Sequence, residues 1–348
     1  MGYSTKTLMN GIVAAITCFL PAVAVQAGSQ QRTGNSVPQS PPLGLPPIAV
    51  PADNPLNSEK VELGKLLYFD PRLSKDSTIS CATCHNPKEG WSERRMTSEG
   101  INGQIGTRNS PTIINSAYHP TQFWDGRAAT LEEQALGPVE NPIEMGHKLD
   151  VCVKGLSAIP EYTSRFKAVF DTGVTKEGIG KAIAAFERTI LSGNSLYDRF
   201  QAGDATALND AQRRGLEVFR RKGRCSMCHT PPTFSSGRYY NAGVDAAKPK
   251  PDAGRHDVTK KDRDFGKFRV PHLRDLVDTA PYFHDGSGAT LRKAVDLMAG
   301  GGRDNPHLSS MIKAVRKAEL TDQDREDLVE FLKALSGDYP VIETPQLP

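Results

Sequence analysis

Apolar residues along the chain recur mostly at intervals of three and four, the spacing that lines one face of an α-helix. Ile179, Ile183, Phe186 and Ile190 predict one long buried helix face, and Leu328, Phe331, Leu332 and Leu335 predict another near the end of the chain. Start signals sit where they should: Thr321 with Asp324 opens the last helix, Thr130 with Glu133 forms a capping box, and Ser58 caps a helix running through Leu67. Strict apolar–polar alternation, the mark of a half-buried strand, is nearly absent. A mainly α fold is expected, its helices separated by Gly- and Pro-rich loops.

The first 27 residues break this pattern. Lys6 precedes an apolar run from Leu8 to Val25, and Val25-Gln26-Ala27 is a small-x-small cleavage site, so a cleavable export signal is expected; an uncleaved anchor is the alternative. Cys18 lies inside the run without a convincing lipobox and would leave with it. Residues 28–50 have no hydrophobic period and read as a flexible linker. No other segment approaches the roughly 20 apolar residues of a spanning helix, so the mature chain is expected to have no membrane span. With 348 residues there is room for two domains, drawn here as 51–203 and 204–348 with the boundary after Tyr197-Asp198-Arg199-Phe200. A net charge of +3 argues neither for nucleic acid nor for an anionic membrane surface.

Two pentapeptides carry the chemistry: Cys81-Ala82-Thr83-Cys84-His85 and Cys225-Ser226-Met227-Cys228-His229. In C-x-x-C-H the two thiols add to the vinyl groups of a haem and the histidine takes one axial position on the iron. Structural zinc is the rival, but it would want a second C-x-x-C close by, and each motif already carries its own histidine. Export agrees with this reading, since bacterial c-type haem is attached outside the cytoplasm. Cys152 is the odd thiol of the mature chain and reads as a small buried hydrophobe. A helix with a similar glycine-centred pattern precedes each motif (Leu63-Gly64-Lys65-Leu66-Leu67 and Gly215-Leu216-Glu217-Val218-Phe219), a weak internal repeat of the small cytochrome c plan.

Over most of residues 52–337 the chain resembles the bacterial di-haem cytochrome c peroxidases, a family that includes the MauG-type maturation enzymes. The blocks that carry the resemblance are LGKLLYFDPRLSKDSTISCATCH, RNSPTIINSAY, FWDGRAATLEEQALGPVENPIEM, FRVPHLRDLVDTAPYFHDGS and TLRKAVDLM. It implies two cytochrome c-like domains, each holding one covalent c-type haem. His229 and Met298 would be the axial pair of an electron-transfer haem, with His284 nearby but not a ligand. His85 would hold the peroxidatic haem, with Glu144 as the proton-moving carboxyl and Gln134 and Pro138 as further distal residues; Glu140 is the alternative acid. Heterolysis of the O–O bond needs one group that takes a proton from peroxide and returns it to the leaving oxygen. A buried carboxyl of raised pKa suits both tasks. Trp124 would lie between the haems. A calcium ion would be held by the Asn109 side chain and the carbonyls of Thr279 and Pro281.

Two departures pull in opposite directions. Many members carry a blocking histidine in an SxGHN loop; here the loop reads Ser98-Glu99-Gly100-Ile101-Asn102, and no histidine lies between His85 and His119. An open iron that needs no reductive activation is therefore expected, as in MauG-type enzymes. Met298 points the other way, because MauG-type enzymes have a tyrosine ligand there and no tyrosine lies between Tyr282 and Tyr339. The expectation is a periplasmic peroxidase that reduces hydrogen peroxide with electrons from a small cytochrome c or a cupredoxin, possibly as a homodimer. The rivals are a MauG-type enzyme oxidising residues of a partner protein and a pure electron-transfer cytochrome. Basic loops at Arg213-Arg214, Arg220-Arg221-Lys222 and Lys260-Lys261 read as solvated faces, or as an orienting surface for an acidic donor.

Overall fold

Helix ends fall close to the expected signals. The first helix among the described residues is Ser58–Phe69, and its cap is Asn57, one residue before the expected Ser58: the Asn57 side chain accepts from the Lys60 N–H at 2.8 Å. Thr130 caps Leu131–Glu140, accepting from Glu133 N, while Glu133 Oε2 accepts from Ala129 N. The reciprocal half of the expected box is thus displaced by one residue. Thr321 and Asp324 form the full box on Asp322–Lys333. The computed structural model describes residues 1–3 and 40–348; the rest of the expected export signal and the linker as far as residue 39 lie outside the described residues. Strand is limited among the described residues to a two-residue pair, Tyr239–Tyr240 against Phe268–Arg269.

Two apolar cores follow the chain order. The first gathers residues from Val61 to Ile190 around Tyr68, Trp91 and Phe186; the second gathers residues from Tyr197 to Leu335 around Phe219, Phe234 and Phe331. Each is built on one close helix crossing. At Gly64 of the first helix an added Cβ would sit 1.9 Å from the carbonyl oxygen of Ala182, on the helix Lys176–Glu187. At Gly215 of the helix Asp210–Glu217 it would sit 1.9 Å from the carbonyl oxygen of Asp327, on Asp322–Lys333. Phe186 and Phe331 flank the two crossings at corresponding places. Only glycine lets the backbones approach so closely.

The repeat is deeper than the two motifs. Residues 111–139 match residues 271–299 at a constant offset of 160, as in Thr130 against Thr290. Asn115 and Asp275 both adopt left-handed backbone, each before a single helical turn. The bridge Gln122–Ala128 is repeated as Tyr282–Gly288, and Thr130 and Thr290 cap Leu131–Glu140 and Leu291–Ala299.

Ion pairs join distant segments, one across the halves through half-buried Arg108 and one buried at the second core through Arg274. Arg108 binds Asp125 (2.6 Å) and Asp252 (2.7 Å), and Arg274 binds Asp198 through both nitrogens (2.7 and 2.8 Å). The chain end also returns: Tyr339, Ile342 and Leu347 pack on the first core, and Pro340 O accepts from Trp91 Nε1 at 2.9 Å. Residues 40–50 do not behave as linker. Leu45 is buried, Leu43 O accepts from Asn194 N, and Pro46 O accepts from the Tyr118 hydroxyl. A Pro-rich extended strap docks through its carbonyls, and such docking leaves no hydrophobic period to read.

Candidate active site

Both pentapeptides fold as tight turns closed by the same bond, His85 N to Cys81 O at 3.0 Å and His229 N to Cys225 O at 2.9 Å. None of their four thiols is in a disulfide, and all are half-buried. Each histidine turns Nδ1 to the protein. His229 Nδ1 lies 2.9 Å from Phe234 O and near Pro271 O; His85 Nδ1 faces the carbonyls of Pro111 and Trp91, less well aligned. Pro111 and Pro271 are 160 apart, so the repeat places the same carbonyl behind both rings. Burial holds both imidazoles neutral, pushing His85 down to about 4. A neutral ring with Nδ1 directed to a carbonyl offers Nε2 as a metal ligand. The donor set therefore fits two covalent haems.

Around the second motif lies a cavity of about 720 Å³, well inside the range of cofactor pockets, about 300–1,000 Å³. Cys225, Cys228, His229 and Met298 line it, so the expected ligand pair faces one space. Trp124, Asn109, Thr279, Pro281 and His284 line the same cavity at the junction of the halves. Trp124 is buried, with its indole N–H donating to Asn109 O at 2.9 Å. The Asn109 amide donates to Arg95 O, which leaves its carbonyl oxygen for another partner. His284 is stacked on Phe268 with ring centroids 3.6 Å apart, and His119 packs beside His272. Trp91 is fully buried packing within the first core.

At the first motif, burial pushes the Cys84 thiol up to about 12, and Glu93 and Glu144 lie close enough to add to the shift. Glu144 is itself raised above the ordinary carboxyl range by burial, and opposed by Arg127 and by the Asn141 amide, which donates to its Oε1 at 2.8 Å. Glu140 is exposed. Gln134 and Pro138 are half-buried on the helix Leu131–Glu140. Sequence reasoning missed Glu93, Asn141 and Arg127. Glu93 had no motif, whereas Asn141 was visible in the NPIEM block and Arg127 in FWDGRA. Ile101, where the blocking histidine would stand, is 5% exposed and roofs this region: its N–H donates to Glu144 O at 2.9 Å, and its side chain lies against Gly146.

The offset of 160 aligns Met298 with Pro138. One half thus presents a thioether at the helix position where the other presents a ring that cannot coordinate iron. A family model for di-haem cytochrome c peroxidase matches residues 58–206, and one for cytochrome c matches residues 212–336. The cytochrome c551 peroxidase of Nitrosomonas europaea is 40% identical over 304 residues, covering 86% of each chain. The chain belongs to the di-haem cytochrome c peroxidase family. Within that family it is also 35% identical to the methylamine utilization protein MauG of Methylorubrum extorquens, over 97% of this chain and 95% of the relative. Among solved structures, a MauG-like protein associated with microbial copper homeostasis superposes with a TM-score of 0.77 at 35% identity, covering 87% of this chain and 96% of that one. The family carries two c-type haems, one for each C-x-x-C-H. No helix among the described residues is long and apolar enough to cross a membrane.

Proposed function

We propose that the chain is a periplasmic peroxidase that converts hydrogen peroxide, two electrons and two protons into two waters, drawing its electrons from a small cytochrome c or a cupredoxin. The observation that carries this reading is the contrast between Pro138 and Met298 at equivalent helix positions. His85 would hold one haem and His229 with Met298 the other; when bound, the first would supply peroxide chemistry and the second electron relay. Cys81, Cys84, Cys225 and Cys228 anchor them covalently.

The chain's own residues move the protons. Glu144 accepts the proton of the attacking peroxide oxygen and returns it to the departing one; its half-buried setting brings its pKa toward the working pH. The Asn141 amide fixes one carboxylate oxygen, so the other is free to face substrate. Gln134 orients the peroxide, and the Pro138 ring keeps the distal side free of a protein ligand. Trp124, held by Asn109, sits at the junction as the electron path between the halves. Calcium held by Asn109 Oδ1 and the carbonyls of Thr279 and Pro281 would fix the same junction.

Ile101 favours a resting enzyme that is already open. It packs on the Glu144 turn as a small apolar roof with no group to bind iron, so no reductive step is needed to expose the site. The same feature supports a second reading, a MauG-type oxidation of a partner protein. Steady-state assays separate the two: rapid peroxide-dependent oxidation of reduced cytochrome c or cupredoxin supports the peroxidase. Failure with every such donor, together with oxidation of residues on a partner protein, supports the second reading.

A further inference from the structure

Arg269 is 5% exposed and lines the large cavity, yet no carboxylate lies within salt-bridge distance of it. Its backbone N–H donates to Trp124 O at 2.8 Å, and Nε makes a long bond to Phe123 O at 3.4 Å. Nη1 is buried and has no hydrogen-bond partner. An isolated guanidinium taken out of water is costly unless an anion meets it. Among the described residues, the other arginines that are as deeply buried have such partners, Arg274 with Asp198 and Arg188 with Glu132 at 2.7 Å, and buried Lys60 is met by Asn54 Oδ1 and Pro55 O. Around Arg269 there is none. The cavity has no Asp or Glu in its lining, while Lys222, Arg224, Arg269, Arg274 and Lys317 all contribute to it. The neighbouring imidazoles of His119 and His272, kept neutral by burial and by Arg269 itself, cannot serve as its counter-charge.

We infer that Arg269 is the anchor for a haem propionate of the cofactor held by Cys225, Cys228 and His229. This rests on the two-haem reading above and adds to it a positioning role for one residue. A c-type haem keeps both propionates as free carboxylates, and a guanidinium is shaped to receive a carboxylate through two parallel N–H donors. Arg269 is also tied by its backbone to Trp124, so the propionate contact would connect the electron-transfer haem to the junction residue. A cation paired to the propionate cancels negative charge beside the iron and favours its reduced form.

The test is spectroelectrochemistry and resonance Raman spectroscopy on the holoprotein, comparing wild type with R269Q and R269K. In R269Q the midpoint potential of the methionine-ligated haem should shift downward and the propionate bending modes should move. R269K, which keeps the charge but not the two-pronged geometry, should retain most of the potential while still shifting the Raman modes. A merely structural arginine would move neither signal in a correctly folded variant. Should R269Q fail to accumulate, R269K decides alone: propionate modes identical to wild type would overturn the inference. An unchanged potential in R269Q with both haems bound would do the same. A pyridine haemochrome count below two haems per wild-type chain would instead overturn the haem assignment on which it rests.

Discussion

Glu144 takes its character from its neighbours: burial raises its pKa, while Arg127 and the Asn141 amide hold it from rising further. Replacing it with Gln preserves size and removes the proton acceptor. Peroxide turnover should then fall by about 10²–10⁴-fold with both haems retained. Since proton acceptance needs the carboxylate, wild-type kcat/KM should rise with pH through the raised pKa, and E144Q should lack that limb; an unchanged profile would refute the role. Glu187 tests the physics of burial beside the first motif, close enough to Cys81 to oppose a thiolate there. It is 4% exposed, and burial pushes its pKa up to about 8 against 4.5 for a free side chain. The folded chain holds a proton that the unfolded chain releases between these values, so stability falls as pH rises through that window. E187Q should be more stable than wild type at pH values above the window, by on the order of a few kcal/mol in denaturant titrations, and equally stable below it. An equal change at both ends would show that packing, not charge, is responsible.

Among the elements, the paired glycine crossings and the paired helices that carry Pro138 and Met298 matter most. Gly64→Ala places a methyl on the Ala182 carbonyl and Gly215→Ala places one on the Asp327 carbonyl, so the helices must separate. Each should cost about 1–3 kcal/mol in denaturant titrations of the holoprotein; a variant as stable as wild type would show that the crossing is not tight. Pro138→Met recreates on the first half the proposed ligand position of Met298. It should turn the open haem low-spin and suppress peroxide turnover, whereas full turnover with an unchanged spectrum would break the proposed equivalence of the two helices. Much of this level was legible. Helical periodicity found the apolar faces of Lys176–Glu187 and Asp322–Lys333, although Ile190 and Leu335 lie just beyond their ends, buried by the following turns. The offset of 160 was in the sequence too, but its meaning depended on seeing Thr130 and Thr290 cap equivalent helices.

At the scale of the molecule, less could be read. The two C-x-x-C-H motifs and the family blocks declared two haem-bearing halves, but not how the halves are joined. Arg108 to Asp252 and Asp198 to Arg274 are contacts over 144 and 76 residues, and single charged residues in loops carry no periodic signal. The docking of residues 40–50 and the return of the chain end to Trp91 are likewise made through backbone carbonyls, which any residue supplies. Lone Arg269 was invisible for the opposite reason: only the structure shows that no carboxylate comes near it. These contacts matter because they set two unlike sites against each other. On the proposed reading, one is roofed by Ile101 packed on the Glu144 turn, and the other would be completed by Met298. That inequality is the central claim, and the electron paramagnetic resonance spectrum of the frozen, as-purified ferric protein tests it most directly. The account predicts one high-spin haem together with one low-spin haem of histidine–methionine type. Two low-spin haems in that resting state would contradict it.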